Sequence, residues 1–206
     1  MKKLNLAIIG QGRSGKNIHG VFYVSENNKY FNVLYVVDAD ENRRAKAKEM
    51  YPGCVTFADY KSLFDKNDID LVVNASFSQM HYSITKDLLM HKKNVLTEKP
   101  LAATKAECED LIKTAEENGV HLIPFQQSFF APYYINAKKI IEKGILGEIL
   151  QVNISYNGFA RRWDWQTLQK NVAGGLYNTG PHPVGLALGF LDFDKDMKVV
   201  YLKRIH

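Results

Sequence analysis

Cysteine is nearly absent. Only Cys54 and Cys108 occur in 206 residues, too few for a disulfide framework and without the spacing of a metal-ligand set. This excludes a small bridge-stapled secreted scaffold and fits a reducing compartment. Long apolar runs are missing too: none approaches the roughly 18 residues that span a bilayer. The first run, Leu6-Ala7-Ile8-Ile9, is preceded by Asn5 and stops at Gly10, with no cleavage site to make Met1-Lys2-Lys3 the start of a signal peptide. The expected location is cytoplasmic, with no membrane partner. There is no basic stripe. The net charge of +5 comes from 27 basic and 22 acidic residues, and pairs such as Arg43-Arg44, Lys92-Lys93 and Lys138-Lys139 sit among acids on expected helix faces. They read as solvated surface rather than a nucleic-acid interface, although a basic balance helps to draw in an anionic cofactor. Repeats and low-complexity linkers are also lacking. What remains is an ordinary globular composition, 46% hydrophobic and 24% charged, long enough for one domain and part or all of another.

The chain is organised around its first 38 residues. The run Leu6–Ile9 leads into Gly10-Gln11-Gly12-Arg13-Ser14-Gly15, and a second run, Asn32–Val37, ends on Asp38. This pattern predicts strand, glycine turn, helix, strand. Gly10 permits the tight turn, Gly12 lets the backbone approach a pyrophosphate, and Gly15 lets the helix pack on the sheet. The helix start then aims unpaired N–H groups and a positive dipole end at the phosphates. Arg13 and Ser14, inside the turn, join the cofactor-binding candidates. Asp38 stands where an acidic residue accepts hydrogen bonds from an adenosine ribose and would repel a 2′-phosphate, which predicts NAD in preference to NADP.

The alternation continues. Asp40 caps a helix to about Tyr51, Val55–Phe57 is a short strand, and a short helix is expected over Asp59–Lys66. Ile69–Asn74 is a buried strand and Ser78 caps a helix to about His91. Asn94–Thr97 is the fifth strand, Thr104 and Glu107 form a capping box for a helix closed by Asn118-Gly119, and Val120–Pro124 is the sixth strand. Six apolar strands alternating with helices predict an α/β fold, a Rossmann-type doubly wound parallel sheet, over residues 1–125. After Phe125 the pattern changes. A helix is expected over about Phe130–Lys143, a long alternating strand from Glu148 to about Phe159, and a last strand at Val199–Leu202. Residues 126–206 therefore read as the start of a second α/β domain with an open, mostly antiparallel sheet.

Ligands of open α/β sheets bind beyond the carboxyl ends of the strands. Polar groups there, Asn74, Ser76, His81, Glu98 and Lys99, are cofactor candidates, and Lys99, also a catalytic candidate, emerges after the fifth strand with Pro100 fixing its direction. His182 lies between Pro181 and Pro183, residues that a helix tolerates only in its first turn, so it is placed at a helix N-terminus where the dipole disfavours the imidazolium and leaves the ring available as a base. Asn178, four residues earlier, joins Lys99 and His182 as a catalytic candidate. Gln126, Tyr133, Trp163, Trp165, Asn178 and His182 are placed around the substrate, the tryptophans because an aromatic face beside polar groups suits a sugar ring.

Taken together, Gly10-x-Gly12-x-x-Gly15, Asp38, Glu98-Lys99-Pro100, the passage Ile141–Ile149 and Gly174-Gly175-Leu176-Tyr177-Asn178-Thr179-Gly180-Pro181-His182 resemble the Gfo/Idh/MocA oxidoreductases. The resemblance implies an NAD(P)-dependent dehydrogenase of sugars, inositols or related polyols. It implies that Lys99 polarises the substrate hydroxyl, that His182 takes its proton, and that copies associate through the second-domain sheet. Asparagine at 178 departs from the aspartate usual in the family, as does glycine at 185. Members run well past 300 residues, so the second domain is expected to be truncated here. The alternatives are a non-catalytic dinucleotide-binding regulator and a glycoside hydrolase that uses NAD transiently.

Overall fold

A computed structural model describes residues 2–158, 161–193, 196, 198–201 and 203. They fall into two compact units, one of Met1–Phe125 with Arg162–Asn178 and one of Gln126–Arg161 with Thr179–His206.

In the first unit the strands β1 (Leu4–Ile9), β2 (Phe31–Val37), β3 (Val55–Phe57), β4 (Leu71–Asn74), β5 (Val95–Glu98) and β6 (Leu122–Phe125) form one sheet in the order β3-β2-β1-β4-β5-β6. Every pairing is parallel. Alternate residues serve opposite faces, as a pleat requires. Ala7, Ile9, Val37, Val72 and Val95 pack with Leu63, Ile84, Leu88 and Leu111 on one face, while Ile8, Val36 and Val73 pack with Ala47, Tyr51 and Cys54 on the other. A sheet covered on both faces needs apolar residues at consecutive positions, which is why its strands read as unbroken runs.

The helices are specified at their ends. Asp40 caps α2 (Glu41–Met50), accepting from the backbone N–H of Asn42 and Arg43. Thr104 and Glu107 close a reciprocal capping box on α4 (Lys105–Asn118), and Gly119 ends it at φ +65°. Helical winding after the glycine turn includes a π-helical turn over Gly15–Gly20 and continues as α1 (Val21–Tyr23). Two expectations shift. Ser78 does not cap a helix but begins a 3₁₀ turn, Ser78–Met80, closed by Met80 N–H donating to Phe77 O, and α3 (His81–Met90) follows. The expected short helix after Asp59 is a single 3₁₀ turn, Tyr60–Leu63.

In the second unit α5 (Pro132–Glu142) starts where Pro132 can occupy the first turn, and α6 (Pro181–Phe190) starts the same way. The expected open antiparallel sheet is not formed among the described residues. Glu148–Gly158 and Val199–Tyr201 belong to no ladder; Phe159 and Leu202, the expected last residues of these strands, lie outside the described residues. The reason is physical: an alternating segment becomes a strand only by exchanging backbone hydrogen bonds with a neighbour, and no described strand of this unit offers one. The sheet through which copies were expected to associate is thus absent from the described residues.

Candidate functional site

The order β3-β2-β1-β4-β5-β6 reverses direction between β1 and β4, and it is there that an open α/β sheet leaves a crevice. A cavity of about 490 Å³ lies at this point, entirely within the first unit. Gly10, Gly12, Arg13, Ser14 and Asp38 line one part of it; Ser76, His81, Glu98 and Lys99 line another.

The three glycines are required for different reasons. Gly10 has φ +88°, and a Cβ there would lie 2.4 Å from the Ala75 carbonyl oxygen. A Cβ on Gly15 would fall 1.8 Å from the Gly10 carbonyl oxygen, so the helix crosses the strand end in contact with it. Gly12 is otherwise: its nearest neighbour would be Arg43 Nη1 at 3.9 Å. Nothing in the fold demands glycine at 12, yet the residue lines the cavity. This is the arrangement expected where backbone must meet a ligand.

Asp38 is held ready. Its side chain is 8% exposed, with Oδ2 accepting from Gln11 N–H at 2.7 Å and Oδ1 from Asp40 N–H at 2.9 Å. Arg43 Nη1 stands 3.6 Å from Oδ2. Beyond β5, Lys99 Nζ donates to Asn178 O at 2.7 Å and to Asn178 Oδ1 at 3.2 Å. Burial pulls the Lys99 ammonium below the usual lysine range; Glu98 opposes this, and Arg13 and Arg162 add to it. The Lys99–Pro100 peptide bond is cis.

A buried layer braces these groups. Glu98 Oε1 and His19 Nε2 are 3.0 Å apart with both side chains almost fully buried, and the His19 ring tilts against Phe125 at 4.6 Å. His81 is buried, its Nδ1 2.7 Å from Pro100 O and its Nε2 3.2 Å from Ser76 O. Burial lowers its pKa, against the pull of the two carbonyls. It ties the Ser76 loop to the residue after Lys99. Asn74, expected at the cofactor, is fully buried beneath that loop instead: its Oδ1 accepts from Ser76 Oγ at 2.7 Å and its Nδ2 donates to Thr85 Oγ1 at 3.1 Å.

The remaining candidates separate. Trp165 lines the cavity and meets Phe77 edge-on at 5.0 Å. Trp163 is 94% exposed and is not among the lining residues. In the second unit, His182 Nδ1 lies 2.7 Å from Ser128 Oγ, and the ring stacks parallel to Tyr156 at 6.4 Å. Tyr156 OH is 3.3 Å from Tyr133 OH. Gln126 Nε2 donates to Pro181 O at 2.6 Å. Sequence reasoning missed Arg162, Asp164 and Gln166 in the cavity and Ser128 beside His182. Only Asp164, an acid set before a turn, carried a readable signal. It accepts from Gln166 N–H and from the Arg162 guanidinium, which also bonds Gln166 Oε1.

Comparison with known proteins gives this geometry its family. Residues 4–125 match the oxidoreductase family with an NAD-binding Rossmann fold, and residues 134–201 match the C-terminal domain of the same family. The chain belongs to the Gfo/Idh/MocA oxidoreductase family. It is 32% identical to the uncharacterized oxidoreductase YhhX of Escherichia coli over 75% of this chain and 44% of that protein. It is 26% identical to the scyllo-inositol 2-dehydrogenase (NADP(+)) IolW of Bacillus subtilis over 93% of this chain and 53% of the relative. The structure of the putative oxidoreductase yvaA from Bacillus subtilis superposes with a TM-score of 0.80 at 26% identity, over 91% of this chain and 52% of that one. The chain spans about half the length of these Gfo/Idh/MocA relatives. Among the described residues no helix is long and apolar enough to cross a membrane.

Proposed function

We propose that this chain carries the cofactor half and the first catalytic residues of an NAD-dependent dehydrogenase that oxidises a hydroxyl of a sugar, inositol or related polyol. The observation behind this reading is Gly12: a glycine that no protein contact requires, lining a cavity that also holds Asp38 and Lys99. The residues present fit NAD. The backbone of the turn and the helix start would hold the pyrophosphate, with Arg13 and Ser14 beside it, and Asp38 would accept from the ribose hydroxyls, favouring NAD over NADP. When bound, NAD supplies the hydride acceptor.

The chain's own residues do the rest. The Lys99 ammonium donates a hydrogen bond to the substrate hydroxyl and stabilises negative charge developing on its oxygen. Its lowered pKa, set by burial and by Arg13 and Arg162, makes it a better hydrogen-bond donor than a free lysine. His182 is the candidate general base for the hydroxyl proton, and Ser128 Oγ lies 2.7 Å from its Nδ1. Asn178 holds Lys99 in place and presents an amide to the sugar. Trp165 and Phe77 form an apolar wall that limits water in the cavity.

The test is calorimetric titration with NAD and NADP, followed by a screen of inositols and sugars for NADH. Saturable NAD binding, lost in Asp38→Ala, and NADH formed in proportion to oxidised product are expected. Lys99→Ala is expected to bind NAD and form no NADH. Product without net NADH identifies the hydrolase, binding without turnover the regulator, and no binding at all overturns the reading.

A further inference from the structure

In the second unit the first turn of α6 is held from the side by the segment that follows Phe125. Gln126 Nε2 donates to Pro181 O at 2.6 Å, and Ser128 Oγ lies 2.7 Å from His182 Nδ1, so two residues of that segment hold the backbone before His182 and the ring itself. The contact is built into the packing. His182, Gly185 and Gly189 fall at i, i+3 and i+7, on one face of α6. A Cβ at 185 would lie 3.1 Å from Gln126 Nε2 and 3.3 Å from the Phe129 ring, and one at 189 would run into the Tyr134 hydroxyl. The two glycines therefore let the helix lie directly on the 3₁₀ turn Gln127–Phe130 and on α5. Phe129 meets Tyr134 at 5.5 Å and Tyr134 meets Phe190 at 4.9 Å, which ties the turn, α5 and α6 together. Ser128 is 5% exposed within this packing.

A serine at this point has a definite chemical consequence. In a neutral imidazole one nitrogen carries the proton and the other the lone pair, and the partner of the first decides which is which. A hydroxyl accepts as well as donates, so by turning its own proton aside Ser128 offers a lone pair to an Nδ1–H. A ring protonated on Nδ1 keeps its lone pair on Nε2. A ring protonated on Nε2 has none there with which to receive a second proton. Tyr156 stacks parallel to the ring at 6.4 Å, its own hydroxyl 3.3 Å from Tyr133 OH, and restrains the plane of the imidazole.

We infer that Ser128 is a positioning residue: its Oγ accepts from His182 Nδ1–H, selects that tautomer and leaves the lone pair on Nε2, where the ring can take a hydroxyl proton. The inference rests on His182 being the base of the proposed dehydrogenase, and it names the group that readies the ring for that role.

The experiment is NMR of the chain carrying 15N in its histidine rings, at a pH high enough that the His182 signals have stopped moving, with assignment by their loss in His182→Asn. The expected spectrum places the His182 proton on Nδ1. In Ser128→Ala it moves in large part to Nε2, the form that free histidine favours, whereas Ser128→Thr keeps it on Nδ1. The His19 and His81 signals of the first unit stay in place in both variants. On a substrate that yields NADH, Ser128→Ala is expected to lose about tenfold in kcat, part of the roughly 10²–10⁴-fold that a positioned base supplies. KM and NAD affinity stay unchanged, and Ser128→Thr restores most of the rate. A wild-type ring protonated on Nε2 overturns the inference, because Ser128 would then be the donor. So does a tautomer that Ser128→Ala leaves unchanged, or a loss carried by KM rather than kcat. The wild-type spectrum can refute the inference even where Ser128→Ala fails to fold. The spectra need neither NAD nor substrate, so a chain that forms no NADH refutes the proposed function while the tautomer and its dependence on Ser128 are still decided.

Discussion

Gly12→Ala separates a turn that serves the fold from a turn that serves a ligand. The added methyl would meet nothing nearer than Arg43 Nη1 at 3.9 Å, and Gly12 is not among the residues with positive φ. The folded chain therefore accommodates it. Restricting the unfolded chain then stabilises by about 0.4–1 kcal/mol, a rise in Tm of roughly 1–4 °C for a chain of this size. In the proposed function the same methyl stands where the NAD pyrophosphate would touch backbone. Forcing the phosphates back by about the width of a methyl breaks on the order of two charge-assisted hydrogen bonds of roughly 1.5–3 kcal/mol each, a loss of two to four decades in affinity at about 1.4 kcal/mol per decade. Gly15→Ala is the control. Its Cβ would sit 1.8 Å from the Gly10 carbonyl oxygen, so the turn must open at a cost of about 3 kcal/mol, and Tm is expected to fall by roughly 6–12 °C. Thermal melts and NAD titrations of the two variants decide the matter. A Gly12→Ala chain that binds NAD like the wild type refutes a ligand role for the turn. One that melts as low as Gly15→Ala shows that the fold, not a ligand, demands the glycine.

His19→Leu leaves the buried Glu98 carboxyl without its partner and is expected to cost about 3–5 kcal/mol, with His19→Gln recovering part of it. Urea midpoints measure this, and a loss under about 1 kcal/mol would show that the pair is not coupled. Burial pushes the half-buried Tyr23 hydroxyl from 10.0 up to about 12. Because the folded value is the higher one, this contribution is intact below pH 10 and is lost as pH rises to 12. Tyr23→Phe should remove about 2–3 kcal/mol of that alkaline loss, and parallel denaturation curves at pH 9 and pH 12 for the two chains would contradict it. Asn178→Asp sets a carboxylate beside Lys99 Nζ, now 3.2 Å from the amide oxygen, and should raise the lysine's pKa back toward the usual lysine range. The pH dependence of Lys99 acylation reads the change, and an unmoved profile would mean the contact is not kept in solution.

Much of the first unit was legible because its rules are local. Residues at 7, 8 and 9 or at 72 and 73 must all be apolar when both faces of a sheet are covered, and Asp40, Thr104 and Gly119 mark helix ends through bonds that span only a few residues. The second unit shows the limit of the same reasoning. The alternation from Glu148 onward has the right period for a strand, but period selects a face and not a partner, and a ladder is a long-range agreement between two segments. The glycine turn, Asp38 and Lys99 were legible for the first reason. The Lys99–Asn178 contact, across 79 positions, joins two motifs that the sequence presents separately.

The two tryptophans show where the site escaped a sequence reading. Trp163 and Trp165 were both expected at a sugar ring because an aromatic face beside polar groups suits one; two positions apart, they would share a face only if the chain were extended. The period is broken between them. Asp164 accepts from Gln166 N–H and starts the 3₁₀ turn Trp165–Thr167, with Thr167 Oγ1 donating back to Asp164 O. The chain swings at that cap, so that Trp165 reaches Phe77 and the cavity while Trp163 is left 94% exposed. An acid followed by a turn-forming threonine three residues on is a capping signal as local as Thr104 and Glu107. That signal fixes where the chain turns, and the turn decides which ring reaches the cavity.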